Sequence, residues 1–243
     1  MYSKSIYFIV LGLALQIAFV FIFGFAIADG IAKSLINNGT DVTRADVLTT
    51  MVGNITLISG LSIGYMAFSF DLISLKATKQ FKQISLANIT RAKYLITLLL
   101  VNITFLLITV LIQAILLIAI FHIHLTAEVI LSLTIMPVIY TIIGFTTALV
   151  TTGICDSQKV MTVLVMLGFY IMMFTSGTFM YWEPFSIYAK TIPMITPMGC
   201  LLQLMSFSFA PEHSFTEIWW ALPIFIVEMT ALIYGAYKLF KWN

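Results

Sequence analysis

Residues 94–121 read YLITLLLVNITFLLITVLIQAILLIAIF, and no charged side chain occurs between Lys93 and Glu128. As a helix rising 1.5 Å per residue, this run is about 42 Å long, more than the ~30 Å hydrocarbon core of a bilayer. The whole chain has the same character. Of 243 residues, 61% are hydrophobic and 9% charged, and the mean hydropathy is +1.07. So little charge cannot coat a folded surface against water, which excludes a soluble enzyme, and so much apolar content excludes intrinsic disorder. A formal net charge of +2 gives no electrostatic footprint for nucleic acid. The 2 cysteines cannot make a disulfide scaffold.

Working outward from this run, charges mark the edges of further apolar windows. They place six spans at about 6–28, 47–70, 94–121, 128–151, 160–181 and 217–238 within a single transmembrane domain. Lys4 and the run Ala26-Ile27-Ala28 resemble parts of a signal peptide. The apolar stretch between them is longer than a signal's hydrophobic region, so a retained helix is expected. With six spans, one side collects Lys4, Lys76, Lys79, Lys82, Arg91, Lys93, Lys159, Lys238 and Lys241. The other keeps Lys33, Arg44 and Lys190. The positive-inside rule then puts both termini in the cytoplasm.

Residues 71–93 form the one long loop, and it carries most of the inside positive charge. Leu72, Leu75, Phe81 and Ile84 recur at spacings compatible with a helix lying on a surface. Two readings stand side by side. The loop is a topogenic segment whose lysines sit near anionic headgroups, or it is a helix that docks into a cytoplasmic partner.

The order of features resembles the permease subunit of an ABC-2 type transporter. Two spans come first, then a cytoplasmic segment ending in Leu86-Ala-Asn-Ile-Thr-Arg91, a long third span, and a fourth with Gly144. After the fifth come Ser176-Gly177-Thr178-Phe179, Pro184, Ile192-Pro193 and Pro197, similar to that family's Ser-Gly-x-Phe and proline-rich segment. Where the family has an acidic residue, a basic residue and Gly, this chain has Leu75-Lys76-Ala77-Thr78. The resemblance implies an all-α integral membrane protein of six transmembrane helices. It also implies a cytoplasmic coupling helix between spans 2 and 3 and an outer re-entrant helical hairpin between spans 5 and 6. Such a subunit works with two ABC ATPase subunits and a second permease chain, identical or homologous, in the cytoplasmic membrane of a bacterium. The coupling residues it implies are Leu75, Lys79, Phe81, Lys82, Ile84 and Arg91.

No phosphate-binding G-x-x-x-x-G-K-[ST] run is present. ATP and Mg are therefore expected on the partner ATPase, this chain binding no cofactor and performing no catalysis. Residues 191–211 are apolar enough to span, yet hold Pro193, Pro197, Gly199 and Pro211. A seventh crossing would move Lys238 and Lys241 outside, so a re-entrant segment is expected.

Glu228 is the one acidic residue expected inside a span. It is read either as a pathway residue or as a hydrogen-bonding partner of Gln16, Asn102 or Gln113. Gln16 and Gln113 are pathway candidates with it. So are Met172, Met173, Phe179 and Met198, from a methionine-rich stretch suited to a greasy surface. His122, His124 and His213 lack a carboxylate or Cys to complete a metal site, and none is expected. The substrate class expected is hydrophobic or amphipathic, a peptide toxin or bacteriocin first. Removal of bacteriocins or drugs for self-protection is the alternative within the class. An intramembrane enzyme or a non-transporting scaffold are the alternatives outside it.

Overall fold

The computed structural model describes residues 44–80, 90–123, 125–154, 157–177, 193, 195–209 and 219–240, with positions 14, 17, 18, 20–22, 25, 30 and 33 ahead of them. The first helical rod is α1 (Arg44–Leu61), a six-residue π segment (Ser62–Ala67) and α2 (Phe68–Ala77), continuous with one another. Then follow α3 (Arg91–Phe121), α4 (Ala127–Ile154), α5 (Gln158–Thr175), α6 (Pro197–Phe209) and α7 (Ala221–Leu239). Among the described residues five helices are long and apolar enough to cross a membrane: Val47–Ala77, Ala92–Phe121, Ala127–Ile154, Gln158–Thr175 and Ala221–Leu239.

Their outer faces are greasy. Leu111, Ile115, Val163, Ile226 and Val227 are each between 57% and 68% exposed. Burying a side chain of this kind is worth about 1.5–3 kcal/mol against leaving it in water, so this belt is stable only against lipid or protein. The chain is a multi-pass all-α membrane protein.

Helix ends follow local chemistry. Thr126 Oγ1 accepts the Val129 amide at 3.4 Å, and Glu128 sits in the first turn of α4, where the helix dipole favours an acid. Among the described residues three have left-handed backbone, each just past a helix: Lys79 (φ 52°) after α2, His122 (φ 54°) after α3 and Gly177 (φ 81°) after α5. Only at Gly177 does the residue adopt that conformation without a Cβ penalty. Gly177 belongs to the Ser-Gly-x-Phe run.

α4 is the central post, touching the first rod, α3, α5, α6 and α7. It meets the first rod at backbone distance. A Cβ on Gly144 would stand 2.7 Å from the Tyr65 amide nitrogen, and one on Gly60 would stand 2.5 Å from the Pro137 carbonyl oxygen. Glycines on both rods remove the side chains that would hold such helices apart. Thr141 Oγ1 fastens the crossing, reaching the Pro137 oxygen at 2.9 Å and the Gly60 oxygen at 3.2 Å. The main core gathers here, with Leu61, Tyr65, Phe68, Tyr140, Ile143, Val165 and Met198. The hydroxyl of Tyr65 meets Thr151 Oγ1 at 3.2 Å. A π segment opens the hydrogen-bond ladder of a helix and is uncommon outside functional sites; this one presses Tyr65 between α4 and α5.

Candidate functional site

Three polar features converge around α4. The first is at one end of the bundle. Lys76 Nζ donates to the Thr152 carbonyl at 2.5 Å, in the last turn of α4, and stands 5.9 Å from the Phe240 ring centroid just past α7. A cation at a helix C-terminus meets both unpaired carbonyls and the negative end of the dipole. α2 stops directly afterwards: the Thr78 amide returns to the Ser74 oxygen (3.0 Å), the Lys79 amide to the Lys76 oxygen (3.1 Å).

The second feature lies roughly 18 Å along α4 from Thr152, about half-way across a hydrocarbon core. There the Tyr140 hydroxyl donates to the Met198 carbonyl, in the first turn of α6. The non-helical residues just before α6 are tied by their own chemistry. Thr196 Oγ1 accepts the Gly199 amide at 3.2 Å, and reaches the Pro193 oxygen at 3.3 Å and the Thr175 oxygen at 3.4 Å. The end of α5 and the start of α6 are therefore at one level; Met198 and Leu201 are buried in the core shared with α4, and Cys200 is buried against the start of α7. Irregular backbone at such depth is tolerated only where protein or a wet cavity satisfies it. Here Thr196 does so.

The third feature is Glu228. A Cβ on Gly153 would stand 2.7 Å from the Leu239 carbonyl carbon, and one on Gly235 3.5 Å from Val150. α7 thus runs beside α4 in the same direction, and Glu228 comes level with Ile142–Ile143. The packed face of α7 includes Ala221, Phe225, Met229, Leu232 and Ala236, and Glu228 lies on its edge. Its Oε2 is buried without a hydrogen-bond partner. Cys200, on α6, packs against Ala221 at the start of α7.

The expected residues divide accordingly. Leu75 is buried in the core beside Leu72 and Ile73, and Lys79 is exposed at the left-handed turn. Phe81, Lys82, Ile84, Gln16 and Phe179 lie outside the described residues, and Arg91 opens α3 with its side chain outside them. Met172, Met173 and Met198 meet in the core around α4. Gln113 stands on α3, 1% exposed, with both amide atoms unpartnered. The hydrogen bond from Glu228 to Asn102 or Gln113 is not made: Asn102 Nδ2, both Gln113 atoms and Glu228 Oε2 are all without partners. Cys200 is a buried free thiol. Among the described residues no group of three His, Cys, Asp or Glu could hold a metal ion.

Sequence reasoning missed Lys76 and Tyr140. The only signal for Lys76 was its place as the first lysine after a long apolar window. For Tyr140 it was a phenol in mid-span, which needs a partner when buried. No family model matches the chain, nor does any curated protein or solved structure.

Proposed function

We propose that this chain is the membrane-spanning subunit of an ATP-driven exporter of the ABC-2 type, moving a hydrophobic or amphipathic substrate, with a peptide toxin or bacteriocin the first class to try. The observation that carries the reading is the junction at Lys76. The basic segment expected to meet an ATPase leaves α2 immediately after a residue fastened to the last turn of α4. Movement of that segment would therefore load the helix that every other described helix touches.

Further support comes from the charge distribution. Nine of the 12 Lys and Arg fall on the side of the basic segment in the six-span arrangement. No nucleotide-binding run occurs in the chain, so the energy source would be a separate polypeptide. In this reading residues 193–209 form the inner limb of an outer re-entrant hairpin. The polar ties of Tyr140 and Thr196 at mid-depth would serve that role.

Isolation of the tagged chain from native membranes in mild detergent tests the proposal. The expected result is co-purification of an ATPase bearing the G-x-x-x-x-G-K-[ST] motif, with ATP hydrolysis in the purified complex. A chain that purifies repeatedly without any nucleotide-binding subunit overturns it.

A further inference from the structure

We propose that Glu228 is the recognition point for an amphipathic monovalent cation, a quaternary or protonated amine or phosphonium carried on an apolar body, which reaches it from the lipid side of α7. The inference rests on the exporter reading for its substrate class and on the geometry of α7 for its site.

An intramembrane carboxylate costs about 2.5–3.5 kcal/mol on insertion scales unless it is neutralised, paired or hydrated. Among the described residues, the helices packed against α7 offer no cation to pair with it. α7 packs against α4 and α6. Neither α4 (Ala127–Ile154) nor α6 (Pro197–Phe209) contains a Lys or Arg, and between Lys190 and Lys238 the chain has none at all. The Glu228 Oε2, moreover, is buried without a donor. The site therefore holds an unmet demand for positive charge or for donors.

The surroundings select the kind of cation. Glu228 lies one helical turn from Ile224 and Phe225, which with Trp220 surround the Cys200–Ala221 contact. Aromatic faces attract a poorly hydrated cation, and Met229 beside it adds a polarizable thioether chain. A small, strongly hydrated ion would find one carboxylate and too few oxygens to replace its water. A bulky apolar cation needs no such shell. On the other flank Val227 (68%) is open to lipid, and it gives such a molecule an approach without crossing the packed core.

The probe is tetraphenylphosphonium, with tetraphenylborate as an anion of the same shape, measured by equilibrium dialysis on the purified full-length chain in nanodiscs. Wild type should bind the phosphonium saturably and more tightly than the borate. Glu228→Gln, nearly the same shape, should lose phosphonium affinity by about tenfold or more, as expected when a charge-assisted contact is removed. Glu228→Asp should fall between the two, and serves if Glu228→Gln does not fold. Unchanged phosphonium affinity in a folded Glu228 variant, or no saturable binding by wild type, overturns the inference. Binding is read on this chain alone, so its failure is separable from a failure to find an ATPase.

Discussion

Lys76 and Thr152 are joined across the bundle: the ammonium donates to the carbonyl at 2.5 Å and so pins the end of the first described rod to the end of the central post. Lys76→Met keeps most of the apolar stem but leaves the buried Thr152 without that donor at its carbonyl. It should cost about 1–2 kcal/mol, the scale of a charged hydrogen bond in a half-buried setting. A lower thermal unfolding midpoint in detergent would register it. An unchanged midpoint would mean that the contact adds nothing to the bundle.

The Gly144 crossing should tolerate no side chain. A Cβ there would meet the Tyr65 backbone at 2.7 Å, and backbone cannot step aside as a flexible side chain can. Gly144→Val should lower stability by about 1–3 kcal/mol or prevent folding. At Gly30 nothing lies within 4 Å of the added atom, so Gly30→Ala should be neutral. Equal effects at the two positions would contradict the close approach described for the rods.

Much of this architecture was legible in the sequence because insertion into lipid is decided by composition over about twenty residues. The windows bounded by Lys93, Glu128 and Lys159 contain the helices that the chain forms. What was not legible depends on packing. Nothing in Ser62–Ala67 distinguishes a π segment from an α-helix, since the change of ladder comes from fitting Tyr65 against α4. Leu75 and Lys76 read as part of a surface segment, yet α2 carries them into the bundle. The mid-depth level of Met198 required Tyr140, far away in sequence, to be folded against it. Only a fold can bring Ala221, on α7, against Cys200.

Tyr140 also offers a test of the α6 anchorage. Tyr140→Phe removes the donor to the Met198 carbonyl, which keeps the Leu202 amide of its own helix, so the cost is that of one hydrogen bond, about 0.5–1.5 kcal/mol. Cys200 is fully buried in the next turn. In a Cys155→Ser background, where Cys200 is the sole thiol, maleimide labelling of Cys200 should be slow and should speed up with Tyr140→Phe. Equal rates would show that the start of α6 is held by other contacts.

Gln113 should behave in the opposite sense. Its amide is buried with neither atom paired, so Gln113→Leu removes two unsatisfied groups at nearly constant volume. Stability should hold or rise, because loss of unpaired polar atoms is neutral or favourable. A drop in the unfolding midpoint of the isolated chain would reveal a partner for the amide within this fold.

If the basic segment after α2 is the seat of an ATPase, as proposed above, position 81 reports on it most directly. Phe81 is the apolar anchor expected there, and buried aromatic anchors hold most of an interface's energy. A photo-crosslinking amino acid in place of Phe81 should be irradiated in native membranes and the adduct identified by mass spectrometry. The account predicts an adduct with an ATPase carrying the G-x-x-x-x-G-K-[ST] motif, absent when the crosslinker replaces lipid-facing Val163 instead. Adducts with lipid alone at position 81, under conditions where the chain is folded and inserted, would contradict it.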